Sequence, residues 1–321
     1  MARLHRVSPE RDQGLSRSVT SQGALRLTRP DGRPAGNRDR RRVESLVIPP
    51  AWTDVWICAD PLGHIQVVGT DAAGRRQYLY HPQWQSRRGR SKYERALDLA
   101  ETLLRARAQV TQALRGEDLD QERVLATAFR LLDLSAVRMG STASLRSGRS
   151  RGLTTLQRRH AQVEGPVVRL SFRGKSRIEH QLELEDEDLA ASIEQLIAGD
   201  PRTLLLSWRE GRRRRSLTPA LVNEHIAAVT GGAFTAKDFR TLHGTVIAAQ
   251  TLARIGPVRD GRARAKTELE AVRATASALG NTAAVARSSY IDPRVFTRYQ
   301  RGELLTGSRS PEAALRDLLR G

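Results

Sequence analysis

The chain has 321 residues, enough for one large domain or two smaller ones with cores of their own. It carries 54 Lys and Arg against 35 Asp and Glu, a formal net charge of +19 at pH 7 with an isoelectric point of about 11.3. Such a balance excludes an acidic scaffold or an ordinary near-neutral metabolic enzyme as the default, and it points to polyanions, nucleic acid ahead of an anionic membrane surface.

In chain order, residues 1–42 are polar, rich in Arg, Gly, Pro and Ser, and end on Arg38-Asp39-Arg40-Arg41-Arg42. They read as a basic arm, partly flexible, with a short strand over residues 24–27. The first ten residues hold no apolar core of a signal peptide. Short β-type runs follow at 47–52, 55–58, 64–68 and 76–80, divided by the turn signals Asp60-Pro61-Leu62-Gly63 and Asp71-Ala72-Ala73-Gly74. They predict a small antiparallel sheet domain over residues 43–90.

The period then changes. Leu97, Leu99, Leu103 and Leu104 predict one amphipathic helix, and Val124, Leu125, Ala128, Leu131 and Leu132 a second. Two strands, 167–172 and 178–184, flank Arg173-Gly174-Lys175-Ser176 as a hairpin. The acidic run Glu185-Asp186-Glu187-Asp188 suits the start of a helix over 189–197. Thr235 with Asp238 predicts a capping box opening a helix that carries Phe239, Leu242, Val246 and Ala249. A helix over 265–279 stops at Gly280, and Ser310-Pro311-Glu312 starts the last one. The fold class is therefore α+β: a small N-terminal antiparallel sheet domain, then a larger, mainly α-helical domain over residues 91–321 with a β-hairpin.

No apolar run approaches the roughly 18 residues of a spanning helix. The single cysteine, Cys58, excludes an intrachain disulfide and a Cys-rich zinc site, and no His pair has helical metal spacing. No GxxxxGK[ST] loop is present, since Arg173-Gly174-Lys175-Ser176 lacks both the upstream glycine and the strand–loop–helix setting. The expectation is a soluble, intracellular protein with neither a bound metal nor a nucleotide. Only Lys92, Lys175, Lys237 and Lys266 are lysines, so the other 50 of the 54 basic residues are arginine. Chemistry that needs a titratable ammonium has four places to reside, because arginine stays protonated.

The candidates for chemistry form a set of cations around one tyrosine. Tyr290 lies nine residues after Asn281 in the segment from Leu279-Gly280-Asn281 to Ser288-Ser289-Tyr290-Ile291-Asp292-Pro293. Lys237-Asp238-Phe239-Arg240-Thr241-Leu242-His243-Gly244 puts Arg240 and His243 near a helix N-terminus, a natural anion site. Arg138 ends a helix in Ala136-Val137-Arg138-Met139-Gly140, and Lys175 sits at the hairpin tip.

With Val47-Ile48-Pro49-Pro50-Ala51-Trp52, Gln77-Tyr78-Leu79-Tyr80, Gly152-Leu153-Thr154-Thr155-Leu156 and Phe172-Arg173-Gly174-Lys175-Ser176, these segments resemble, in this order, the type IB DNA topoisomerases in their small poxvirus-like bacterial form. The resemblance spans about residues 43 to 299. It implies that Tyr290 is the nucleophile that holds the 3′ DNA end as a phosphotyrosine. It implies further that Arg138 and Arg240 bind the scissile phosphate and that Lys175 protonates the departing 5′ oxygen. Asn281 stands where many members have histidine; its amide can still donate to a phosphoryl oxygen. Gln77, Tyr78 and Tyr80 match the strand that enters the major groove, and Lys237 and His243 are further candidate DNA contacts. The 141–144 tract lacks the family's usual Asn and basic or tyrosine residues.

Elementary chemistry fits these roles. Phosphoryl transfer spreads negative charge over nonbridging oxygens, which fixed arginines meet bidentately. The 5′ alkoxide is a poor leaving group and needs a proton that lysine can give. Exchange of one phosphodiester for another conserves the bond, so no ATP, metal or other cofactor is expected. The implied activity is relaxation of supercoiled duplex DNA in the cytoplasm, at the nucleoid, by a monomer whose two domains clamp the duplex. A tyrosine recombinase shares the Arg, Lys, Arg, Tyr set, but usually has His where this chain has Lys237, and a helical rather than β N-terminal region. A non-catalytic basic DNA-binding protein would account for the charge without Tyr290.

Overall fold

The structure, a computed structural model, describes residues 3–19, 25–142, 145, 150–307 and 310–321. The chain divides into two compact units, Met1–Ser91 and Lys92–Gly321. Among the described residues no helix is long and apolar enough to cross a membrane.

The first unit is built on a five-stranded antiparallel sheet. Its strands are β1 (Gly14–Val19), β2 (Leu25–Thr28), β3 (Thr53–Cys58), β4 (Ile65–Thr70) and β5 (Arg76–Tyr80), in the order β2-β1-β3-β4-β5. Helix α1 (Asn37–Ser45) lies between β2 and β3 in sequence. Alternation puts Leu15, Leu27, Val55, Ile57 and Val67 into one core, joined by Val43 of α1. The expected turn at Asp71 forms: its carboxylate accepts from the N–H groups of Ala73 and Arg75, at 2.9 and 3.0 Å, and Gly74 takes φ +71°.

The stretch 1–42, expected as a basic arm, instead supplies β1, β2 and most of α1 to this unit. The physical reason is sparse but sufficient apolar spacing: Leu15, Leu27 and Ala35 are each buried among polar neighbours. The strand expected over 24–27 is seen from Leu25 to Thr28; residue 24 lies outside the described residues.

The second unit opens within α2 (Pro82–Leu114) and continues with α3 (Gln121–Ser135). A three-stranded antiparallel sheet follows, β6 (Ala161–Glu164), β7 (Val167–Arg173) and β8 (Glu179–Glu185), with β7 in the middle. Next come α4 (Glu187–Ile197), the two-stranded ladder of β9 (Ser207–Glu210) and β10 (Arg213–Ser216), and α5 (Pro219–Thr230). The remainder is helical: α6 (Ala236–Ile255), α7 (Gly261–Leu279), α8 (Ala283–Ser289), α9 (Arg294–Gln300) and α10 (Pro311–Arg320). The architecture is thus mixed helix and sheet, with an antiparallel N-terminal sheet and a helical second unit that bears a hairpin, as the sequence predicts.

Local chemistry sets the helix ends. Asp186 caps α4 through the Leu189 N–H at 2.8 Å, the Thr235–Asp238 box opens α6, and Ser310 caps α10 ahead of Pro311. On α2 the buried stripe runs through Ala96, Leu99, Leu103, Ala106, Val110 and Leu114. Leu104, expected in the core, falls on its flank and is 83% exposed.

Candidate active site

The site assembles where the ends of α3, α7 and α8 meet the start of α6. Helix α3 stops at Ala136, whose left-handed backbone (φ 49°) turns the chain so that Arg138 follows one residue beyond Val137. Helix α7 stops at Gly280, also left-handed (φ 59°), and Asn281 comes next. Arg240, only 6% exposed, joins these ends: its guanidinium donates to the Ala136 carbonyl at 2.6 Å and to the Leu279 carbonyl at 2.8 Å. Arg138 in turn donates to the Gly280 carbonyl at 3.3 Å and to the Asn281 side-chain oxygen. Arg138 and Asn281 are thus hydrogen-bonded to each other, Arg240 is tied to the carbonyls of the two adjoining turns, and among the described residues neither arginine is paired with a carboxylate.

Tyr290 enters this cluster from the end of α8. The Arg240 guanidinium carbon lies 4.9 Å from the Tyr290 ring centroid. A glycine permits the approach: a Cβ at Gly244, in the middle of α6, would fall 2.6 Å from the Tyr290 carbonyl oxygen. An interior helical glycine costs about 1 kcal/mol relative to alanine, so its presence here follows from the close packing. The Thr245 hydroxyl lies 3.2 Å from the same carbonyl and accepts from the Asp292 N–H at 3.1 Å. Asp292, 2% exposed, is paired with Arg294 at 2.7 Å, and Arg294 also reaches Glu94 at 2.7 Å. The backbone on both sides of Tyr290 is thus fixed.

Burial would push the Tyr290 phenol up; Arg240 first and Arg138 second outweigh it by favouring the phenolate, and hold the group below its ordinary value of 10.0. Burial and the neighbouring Arg138 charge likewise lower Arg240, while Tyr290 raises it. Ultraviolet difference titration of wild type against Tyr290→Phe is therefore expected to give a midpoint below about 10 for this phenol. In an Arg240→Gln background the midpoint moves up, because burial then acts against fewer cations. An unchanged midpoint would remove Arg240 from the control of Tyr290.

Nine buried side-chain N or O atoms have no hydrogen-bond partner among the described residues, and three belong to this cluster: Arg138 Nε, Arg240 Nε and Asn281 Nδ2. Buried donors without acceptors are costly. Two of the three are the Nε–H groups of the clustered arginines themselves; with the Asn281 amide, beside a phenol held below its ordinary value, they offer donors to an anionic, oxygen-rich ligand.

Other sequence-selected residues are placed as follows. Lys175 is exposed at the tip between β7 and β8, in a short turn where Ser176 and Arg177 have positive φ. The structure does not bring it into the arginine cluster by any hydrogen bond. Lys237 is exposed on the first turn of α6. His243 faces Asp133, Glu312 and Arg107 rather than Tyr290, and burial lowers its pKa. On β5, Tyr78 and Tyr80 share one face and their rings stack, 6.0 Å apart, with Tyr78 39% exposed. Gln77 points to the other face and donates to Asp71 at 2.8 Å. Within the 141–144 tract, residues 143 and 144 lie outside the described residues.

Two residues enter the site without having been assigned a role from sequence. Lys92 donates to the Ser288 carbonyl at 3.3 Å, at the C-terminal end of α8 and two residues before Tyr290. Burial first, then the charge of Lys237, lower its pKa; Tyr290 and Asp292 oppose this. The scarcity of lysine was the available signal. His180 on β8 packs against Gly280, beside Asn281; the sequence marks it only as a polar residue in a strand.

A family model described as "Eukaryotic DNA topoisomerase I, catalytic core" matches residues 81–302, and one described as "Bacterial DNA topoisomerase IB, N-terminal domain" matches residues 25–71. The DNA topoisomerase 1B of Acanthamoeba polyphaga mimivirus is 27% identical over 270 residues, 82% of this chain and 80% of that protein. The DNA topoisomerase 1B of vaccinia virus (strain Copenhagen) is 22% identical over 143 residues, 43% of this chain and 46% of the viral one.

Proposed function

The chain belongs to the type IB DNA topoisomerases, isomerases that act on DNA, and from that premise we propose that it relaxes supercoiled duplex DNA without ATP or a metal ion. Tyr290, its phenol proton given up to solvent, attacks a scissile phosphodiester as the phenolate that Arg240 and Arg138 favour, the P–O5′ bond breaks, and the 3′ end is held as a phosphotyrosine. Arg138, Arg240 and the Asn281 amide receive the charge that develops on the nonbridging oxygens. The Lys175 ammonium gives its proton to the departing 5′ oxygen. After strand rotation the 5′ hydroxyl attacks the phosphotyrosine, the P–O bond to Tyr290 breaks, and the proton returns to the lysine. One phosphodiester replaces another at each step, so no external energy source is required.

The observation that carries this reading is the trio of buried, unpartnered donors around an acidified tyrosine. The phosphate they would receive is already in the DNA backbone, which also suits the +19 charge. Gln77, Tyr78, Tyr80 and Lys237 are assigned to contacts with the duplex. The test is plasmid relaxation in EDTA without ATP, with SDS added to trap covalent DNA and exonucleases to identify the linked end. Relaxation with a blocked 3′ end is expected. Trapping without relaxation would instead indicate a recombinase or nicking enzyme, and neither signal would leave a DNA-binding protein.

A further inference from the structure

His180 and Phe172 pair in register across the β7–β8 hairpin, and their rings stack at 5.0 Å with 12° between planes. The imidazole also meets two glycines. A Cβ on Gly174 would fall 2.6 Å from both Cδ2 and Nε2 of His180, and a Cβ on Gly280 would fall 2.4 Å from Cε1. Neither position has room for a side chain while the ring stays where it is. Gly174 immediately precedes Lys175, and Gly280 immediately precedes Asn281. The Gly280 carbonyl is also the one to which Arg138 donates. A single ring thus touches both the segment that bears the lysine and the turn that bears the asparagine.

The charged groups facing His180 are Arg138, Arg240 and Glu179. Burial first, and then the two arginines, lower its pKa, with Glu179 opposing them, which favours a neutral ring beside the arginine pair. A neutral aromatic can pack here without adding a third positive charge to the phosphate site.

We propose that His180 is a positioning residue for the leaving-group step: packed between Gly174 and Gly280, it sets the Lys175 hairpin against the Asn281 turn, so that the ammonium can reach the departing 5′ oxygen. This inference rests on the function proposed above. Lys175 has a flexible stem and is exposed at a hairpin tip, so its placement must come from the rungs that adjoin that turn. His180, in the second rung from the turn, is where those rungs meet the site.

The test is single-turnover cleavage of two duplexes that differ only at the scissile phosphate, one with a bridging 5′ oxygen and one with a 5′ sulfur. The sulfur leaves without a proton and does not need Lys175. His180→Ala is expected to slow the oxygen substrate by about a hundredfold, the scale set by a misplacement of about 1 Å, and to cleave the sulfur substrate about as fast as wild type. Gly174→Ala, at a φ of −92° that alanine tolerates, displaces the ring by crowding and should give the same split. Equal loss on both substrates in both variants would overturn the proposal, because a general structural defect cannot distinguish the leaving groups. Unchanged rates would overturn it as well. A wild type that forms no covalent adduct with either duplex would refute the underlying function, and this inference with it.

Discussion

Tyr290→Phe is expected to bind DNA as wild type does, to leave supercoils intact and to yield no SDS-trapped covalent DNA. The substitution removes one oxygen. The ring that lies 4.9 Å from Arg240 remains, and so does the carbonyl beside Thr245. Folding and phosphate binding should therefore persist while the nucleophile is lost, and loss of a covalent nucleophile has no partial substitute. The other tyrosines of the second unit, Tyr93 and Tyr299, cannot stand in. Burial, with a smaller contribution from Asp292, pushes Tyr93 up to about 12, which keeps it protonated. Tyr299 is buried and donates to the Gly256 carbonyl at 3.0 Å. Residual adduct in Tyr290→Phe would show that another group carries the DNA.

The structure explains why some of this site is legible in sequence and some is not. Helix ends are local: the Thr235–Asp238 box, Gly280 and Ser310-Pro311 specify their conformations within a few residues, and the structure forms them where expected. Those ends are also what position Arg240 and Asn281, so most of the cluster can be read from short segments. The β-strands of the first forty residues could not be read this way. Each contributes a single well-buried leucine, Leu15 or Leu27, and although the two strands pair with each other, what joins them to the sheet is the pairing of β1 with β3, some forty residues further along the chain. Strand β10 is hidden for a similar reason, since three of its four residues are arginine and its partner β9 supplies the order. His180 was missed because its meaning lies in a contact with Gly280, a hundred positions away. His243 shows the opposite error. Its neighbourhood in sequence suggested an anion site, but one helical turn past Arg240 its side chain faces Asp133 and Glu312.

Lys175→Arg should slow cleavage of an ordinary duplex by about 10²–10⁴, the usual contribution of a positioned general acid, although the variant keeps the charge. The argument turns on proton transfer. The guanidinium holds its protons at pKa values above about 12, so it can attract the scissile phosphate but gives the leaving oxygen a proton poorly. Lysine can do both, and this chain keeps one at the tip among 50 arginines. Arg173, the last residue of β7, and Arg177, in the turn itself, flank it on either side; if charge alone sufficed there, a fifty-first arginine would serve. A 5′-sulfur leaving group separates the two contributions, since a thiolate departs unprotonated. Lys175→Arg is expected to recover most of its lost rate on that substrate, whereas Arg240→Ala, which removes charge from the transition state and leaves the Ala136 and Leu279 carbonyls without their donor, should remain slow on both. Failure of the sulfur substrate to rescue Lys175→Arg would take the acid role away from this lysine. Lys92 and Lys237, the two whose charges interact beside Tyr290, would then be the ammonium groups to test in its place.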